Sequence, residues 1–280
     1  MTAGDLPAAT ELDRLSLSVG DRDRMTAFYR DTIGLAVLNR DETRTVLGAG
    51  GDSFLELRAA PEDPPRPAPT AGLFHVAIRV PSRRALGDAL RRIREQWELD
   101  GASDHHVSEA LYLTDPEGNG VEIYRDRNPK QWPTRDNGRV SMDTLPLNLD
   151  GVAAVADGED DAPPDTILGH VHLECTSVPA SKSFYVDVLG LGVRQELDGA
   201  QFLAAGDYHH HIGLNEWQNR TNRATGRGLA WYRLIVPDHE TVDAARERFR
   251  NAEIPTENID NGLSVTDPDG IQLRLQTRSS

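Results

Sequence analysis

The sequence predicts an α+β protein built from four copies of one βαβββ module, and three observations predict it. First, 14-RLSLSVGDRDRMTAFYRDTIGL-35 lies without a gap over 170-HVHLECTSVPASKSFYVDVLGL-191, an offset of 156 residues, with a shared Phe-Tyr pair and a shared closing Gly-Leu. Second, at the same offset 75-HVAIRVP-81 lies over 231-WYRLIVP-237, and further along, at a shorter offset, 114-TDPEGNGVEI-123 lies over 266-TDPDGIQL-273 with two residues missing. Third, each half divides again, because a strand with alternating apolar residues is followed each time by a stretch of helical period.

The four strands run Arg14 to Val19, His75 to Val80, His170 to Cys175 and Trp231 to Val236. The helices that follow run roughly Arg22 to Ile33, Ser82 to Trp97, Ala180 to Leu189 and His239 to Ala252. Short strands complete each unit, with the turn signals DPEGNG and DPDG ahead of the last one. The Pro-rich 61-PEDPPRPAPT-70 reads as the connection between the first two modules. Residues 1–130 form the first pair of modules, the polar span 131–166 a linker, and 167–280 the second pair.

With 280 residues and 38% hydrophobic content the chain can bury a large core. A run long enough to span a bilayer is missing, and MTAGDLPAAT lacks the basic and apolar regions of a signal peptide, so a cytoplasmic location is expected. Cys175 is the single cysteine, which excludes a disulfide framework and reads as a small buried thiol. A net charge of −15 argues against nucleic acid and anionic membrane as partners. The sequence is compatible with a homo-oligomer but does not require one.

Four strand–helix–hairpin modules of this kind, with an FY…LGL helix, resemble the vicinal oxygen chelate superfamily over nearly the whole chain. The resemblance implies that pairs of modules curl into half-barrels, and that metal ligands come from the start of a module's first strand and from its last strand. The first-strand position is occupied by Arg14, His75, His170 and Trp231, so only modules two and three offer a ligand there. The last-strand position of module two is Glu122, whereas module four has Gln272, a poor ligand for a transition metal. The surviving set is His75, His170 and Glu122. Two imidazoles and one carboxylate are the ligands that hold non-heme Fe(II) while leaving adjacent positions open, and Mn(II) suits the same set. A lone strand histidine is more often a core or rim residue. That reading does not explain why all three fall at matching positions.

The run 105-HHVSEALYLTDPEGNGVE-122 resembles the signature of type I extradiol ring-cleavage dioxygenases, and with ILGHVHLE and GDYHHHIGLNEW it is similar to the catechol 2,3-dioxygenases among them. Ser103 departs from the small or apolar residue usual upstream. The resemblance implies that His105, or His106 one residue on, supports the site, that Tyr112 hydrogen-bonds substrate or oxygen, and that His210, ahead of Ile212-Gly213-Leu214, is the acid/base. Imidazole suits proton transfer near neutrality. In an extended segment His209 and His211 would point to the strand face opposite His210. The implied partners are a small aromatic diol and O2. In the common arrangement of these enzymes the module carrying the first His and the acid/base precedes the module carrying the second His, Tyr and Glu; here that order is permuted. The site therefore forms only if modules two and three enclose it, with modules one and four left to each other. A glyoxalase-like lyase or isomerase and a metal-free binding protein of the bleomycin-resistance kind are the alternatives.

Lys130 and Lys182 are the only lysines among 30 basic residues, against 45 acidic ones, and this composition suggests adaptation to high salt, where screening removes self-repulsion. The melting temperature is expected to rise between low and molar KCl; a flat curve would remove the idea.

Overall fold

The computed structural model describes residues 5–278. Module one comprises β1 (Glu11–Val19), α1 (Arg22–Ala27) continuing into a π-helical turn (Phe28–Thr32), β2 (Ala36–Arg40), β3 (Arg44–Ala49) and β4 (Asp52–Ala59). Module two comprises β5 (Gly72–Arg79), α2 (Arg83–Gln96), β6 (Gly101–Asp104), β7 (Ser108–Thr114) and β8 (Gly120–Asp126). After β9 (Leu145–Pro146) and α3 (Leu149–Ala153), module three has β10 (Ile167–Glu174), α4 (Val178–Lys182) with a second π-helical turn (Ser183–Val188), β11 (Gly192–Leu197), β12 (Ala200–Ala204) and β13 (Ile212–Asn215). Module four has β14 (Gly228–Val236), α5 (His239–Asn251), β15 (Thr256–Ile259), β16 (Gly262–Thr266) and β17 (Gln272–Thr277).

The strands form two sheets, in the orders β15-β16-β17-β14-β1-β4-β3-β2 and β11-β12-β13-β10-β5-β8-β7-β6-β9. The first contains the strands of modules one and four, the second those of modules two and three, as the permuted ligand order requires. The strands β5, β10 and β14 begin three residues earlier than the apolar alternation indicated, so His75 and His170 sit inside their strands. No described helix is long and apolar enough to cross a bilayer.

By packing, the described chain divides into two compact units: Leu17–Asp63 with His75–Gly169, and the residues up to Ser16 with Pro64–Phe74 and the chain from His170 onward. In the first unit, Ser82 caps α2 by accepting from the Ala85 N–H, and Leu86, Leu90 and Ile93 bury its apolar stripe. The span expected as a linker is fastened to this helix. The Asp88 carboxylate accepts from the N–H groups of Asp157 and Gly158 at 2.8 and 2.7 Å. Gly87 lets α3 approach, since a Cβ there would stand 2.6 Å from the Val152 carbonyl oxygen. In the second unit the Pro-rich segment is held just as closely: Thr221 and Asn222 donate to the Pro69 oxygen and Arg227 to that of Pro64.

The duplication extends to individual hydrogen bonds. Arg92 donates to the carbonyls of Ile33 and Thr32 at the end of the first π-helical turn, at 2.9 and 3.4 Å. Its duplicate Arg248 donates to those of Leu189 and Val188, both at 2.8 Å. Helix ends leave such carbonyls without partners, and a guanidinium satisfies two at once. The Asp-Pro turns repeat as well. Tyr29 donates to Asp115 at 3.2 Å and Tyr185 to Asp267 at 2.8 Å. Glu117 accepts from the N–H groups of Gly20 and Asp21, while Asp269 accepts from the N–H and hydroxyl of Thr176. Each turn thereby ties the start of its half's last strand to the first helix of the same half.

Burial raises the Asp267 carboxyl from an ordinary 3.8 to about 6. A raised acid stabilises the fold fully below its unfolded pKa and loses that contribution as pH climbs through the folded value. Wild-type stability is therefore expected to drop by up to about 3 kcal/mol between pH 4 and 7 relative to Asp267→Asn, which mimics the neutral form. Parallel urea-unfolding profiles for the two proteins across that range would contradict it.

Candidate active site

In the first unit, strand register determines which side chains share a face. Strands β5 and β8 run parallel with Ala77 opposite Glu122, and β8 and β7 run antiparallel with Tyr112 opposite Glu122. Side chains two apart point the same way, so His75, Glu122 and Tyr112 occupy one face. His75 Nε2 lies 3.0 Å from Glu122 Oε2, and both residues are buried. Tyr112 hydrogen-bonds Glu122, and burial first, then that carboxylate, holds its phenol well above the usual range.

His105 reaches the same group, with Nε2 2.7 Å from the Tyr112 hydroxyl and Nδ1 2.6 Å from the Asp143 carbonyl oxygen. A carbonyl only accepts, so Nδ1 carries a proton. His106 instead occupies a left-handed turn position at φ 66°, its N–H held by Asp104. Of the two alternatives open from sequence, His105 is the one the structure brings to Tyr112.

In the second unit His170 and His172 share one face of β10, and β10 pairs in parallel with β13, His172 opposite Gly213. The three adjacent histidines lie in the turn between β12 and β13 rather than in a strand. The alternation expected of an extended segment therefore fails. His209 Nδ1 is 2.7 Å from His210 Nδ1, so these two rings lie together, one donating to the other. His211 turns to the backbone, where its Nδ1 accepts from the Ala205 N–H at 3.3 Å. His210 stacks near His170, with ring centroids 4.1 Å apart. The His75–Glu122 pair of the first unit and His170 of the second are each buried.

Sequence reasoning missed Phe202, whose ring adjoins His210, and His172, whose ring meets Phe202, Trp217 and Phe74. Phe202 lies 5.0 Å from the His210 ring and 5.7 Å from that of His172, while Trp217 and Phe74 contact His172 at 5.4 and 5.2 Å. The residue alternation of HVHLE carried the signal for His172, which had to share the face of His170. Gly213 makes room for it, since a Cβ there would come within 2.8 Å of the His172 ring. In module four the matching positions hold Trp231 paired with Gln272 and stacked under Arg274 at 3.9 Å, a packed arrangement without imidazole.

A family model described as the Glyoxalase/Bleomycin resistance protein/Dioxygenase superfamily matches residues 11–123 and 167–275, and the chain belongs to that superfamily. Within it, a catechol-2,3-dioxygenase of Bacillus subtilis (strain 168) is 37% identical over 270 residues, spanning 92% of this chain and 94% of the relative. Among solved structures, a Bacillus subtilis protein provisionally described as a dioxygenase superposes with a TM-score of 0.69 at 13% identity, covering 99% of this chain and 87% of its own. Glyoxalase I from Zea mays superposes with a TM-score of 0.61 at 17% identity, covering 96% and 92%. At such identities the two structures speak for the fold alone.

Gly213→Ala is expected to push the His172 ring out of place and to destabilise the protein by about 1–3 kcal/mol, the usual cost of overpacking. A melting temperature equal to that of the wild type would show that the ring does not depend on the missing side chain.

Proposed function

We propose that the protein is an Fe(II)-dependent extradiol dioxygenase that cleaves a catechol with O2, with His75, His170 and Glu122 as metal ligands. The observation that carries the reading is the buried His75–Glu122 pair of the first unit, with a buried His170 at the corresponding strand position of the second. Their donor chemistry fits the metal, since two nitrogens and one anionic oxygen suit divalent iron and leave positions open. The spacing of the first pair fits too. His75 Nε2 and Glu122 Oε2 stand 3.0 Å apart, close enough for both to hold one cation. Catechol as the substrate class rests on the Bacillus subtilis relative, which matches over nearly its whole length.

When bound, divalent iron supplies redox chemistry and open coordination positions. The rest falls to the chain. With Nδ1 engaged by His209, His210 takes a proton from the substrate hydroxyl at Nε2 and later returns it. Tyr112 stays protonated and acts as a hydrogen-bond donor, and His105, anchored on the Asp143 carbonyl, sets which way that donor points. The rings of Phe202 and His172 keep this side of the site apolar and exclude water.

Protein loaded anaerobically with Fe(II) is expected to consume O2 with catechol and to release a yellow ring-fission product. His75→Ala should abolish uptake and iron retention together, and Tyr112→Phe should lower kcat by about a hundredfold while iron stays bound. Iron binding without uptake across a panel of catechols would overturn the assignment.

A further inference from the structure

We infer that the span between the halves is a positioning strap: through β9 and the Asp143 carbonyl it holds the His105 imidazole with its proton on Nδ1, so that Nε2 always faces the Tyr112 hydroxyl. The catalytic consequence rests on the dioxygenase reading above, to which the inference adds the segment that sets the Tyr112 donor.

Topology supplies the first ground. The strand that follows the helix of each module is β2, β6, β11 or β15, and three of these four end a sheet. Among the described strands only β6 is covered, by the short β9, with Ser103 opposite Pro146 and Asp104 opposite Leu145. Covering an edge guards against pairing with other chains, but three uncovered edges show that the fold does not require it. The covered strand is the one that runs directly into His105.

Local bonding supplies the second. The turn after β6 fixes the backbone, since the His105 N–H donates to the Ser108 oxygen and the His106 N–H to the Asp104 carboxylate, both at 2.9 Å. It does not fix the ring, and a neutral imidazole can carry its proton on either nitrogen. Asp143 decides both, because its carbonyl oxygen lies 2.6 Å from Nδ1. That carbonyl is itself fastened on two sides. Ahead of it the Ser141 N–H donates to the Pro133 oxygen at 2.8 Å, and behind it stands β9. Beyond β9, Arg83 donates to the Gly151 oxygen at 2.8 Å and to Glu109 at 3.0 Å. Glu109 is buried and lies on β7, the strand that carries Tyr112, so strap and donor share one support.

The test is a pair of glycines inserted between the exposed Asp143 and Thr144, which releases the carbonyl while leaving β9 its own residues. The same insertion between Asn137 and Gly138, an exposed turn of the same span, is the control. In metal-free protein at mildly alkaline pH, nitrogen NMR of labelled histidines, assigned by difference from His105→Ala, is expected to show His105 protonated on Nδ1 in the wild type and the control, and shifted toward Nε2 in the Asp143 insertion. In Fe(II)-loaded protein that insertion should lower kcat for catechol about tenfold with KM unchanged, and should cost nothing further in a His105→Ala background. A tautomer that the insertion leaves in place overturns the strap, as does a moved tautomer with unchanged kcat, or an equal loss from the control. If the wild type takes up no O2 with any catechol, the dioxygenase reading falls, and the tautomer alone decides the strap.

Discussion

Buried carboxylates in the Asp-Pro turns govern the geometry on which everything else depends. Asp115 and Asp267 each collect backbone N–H groups of their own turn and a tyrosine hydroxyl from a distant helix. Two residues on, Glu117 and Asp269 close the start of that same helix region. A charge placed in the interior is tolerable only when its lone pairs are filled, and filling them from two elements at once leaves little freedom between those elements. The last strand of modules two and four is thereby placed, and in module two that strand carries Glu122.

From there the site follows from period and register. Alternation along β5, β7 and β8 puts His75, Tyr112 and Glu122 on a common face, and alternation along β10 does the same for His170 and His172. A slip of one residue in any of these pairings would turn one of these side chains to the opposite face, so the candidate site is as sensitive to register as to residue identity. The histidine turn is the exception. Its rings are arranged by a bend and by one another, which is why His209 accompanies His210.

The repeat was legible because duplicated segments kept their spacing, and the candidate ligand set could be picked out because reading four copies side by side shows which of them carry imidazole. The same comparison foresaw how the modules share sheets. Other features left little trace. The span 131–166 reads as a polar linker, yet its attachment to α2 depends on Asp88 and Gly87, whose roles are invisible until the helix has a neighbour. The choice between His105 and His106 turns on a single left-handed residue, and propensity allows either. Phe202 and Trp217 lie far from His172 in sequence, and only the hairpin of β12 and β13 brings their rings to it.

The paired guanidinium clamps, Arg92 on the first π-helical turn and Arg248 on the second, bear on how such a chain can evolve. Both copies retain the clamp, whereas only some copies retain imidazole at the ligand position. Shape and chemistry are thus carried by separate residues. A duplicated module held in form by its own scaffold contacts is released to drift at the positions of the candidate ligands without unfolding its neighbour. Gene doubling here supplies a second framework, in which Trp231 and Gln272 stand where module two has His75 and Glu122.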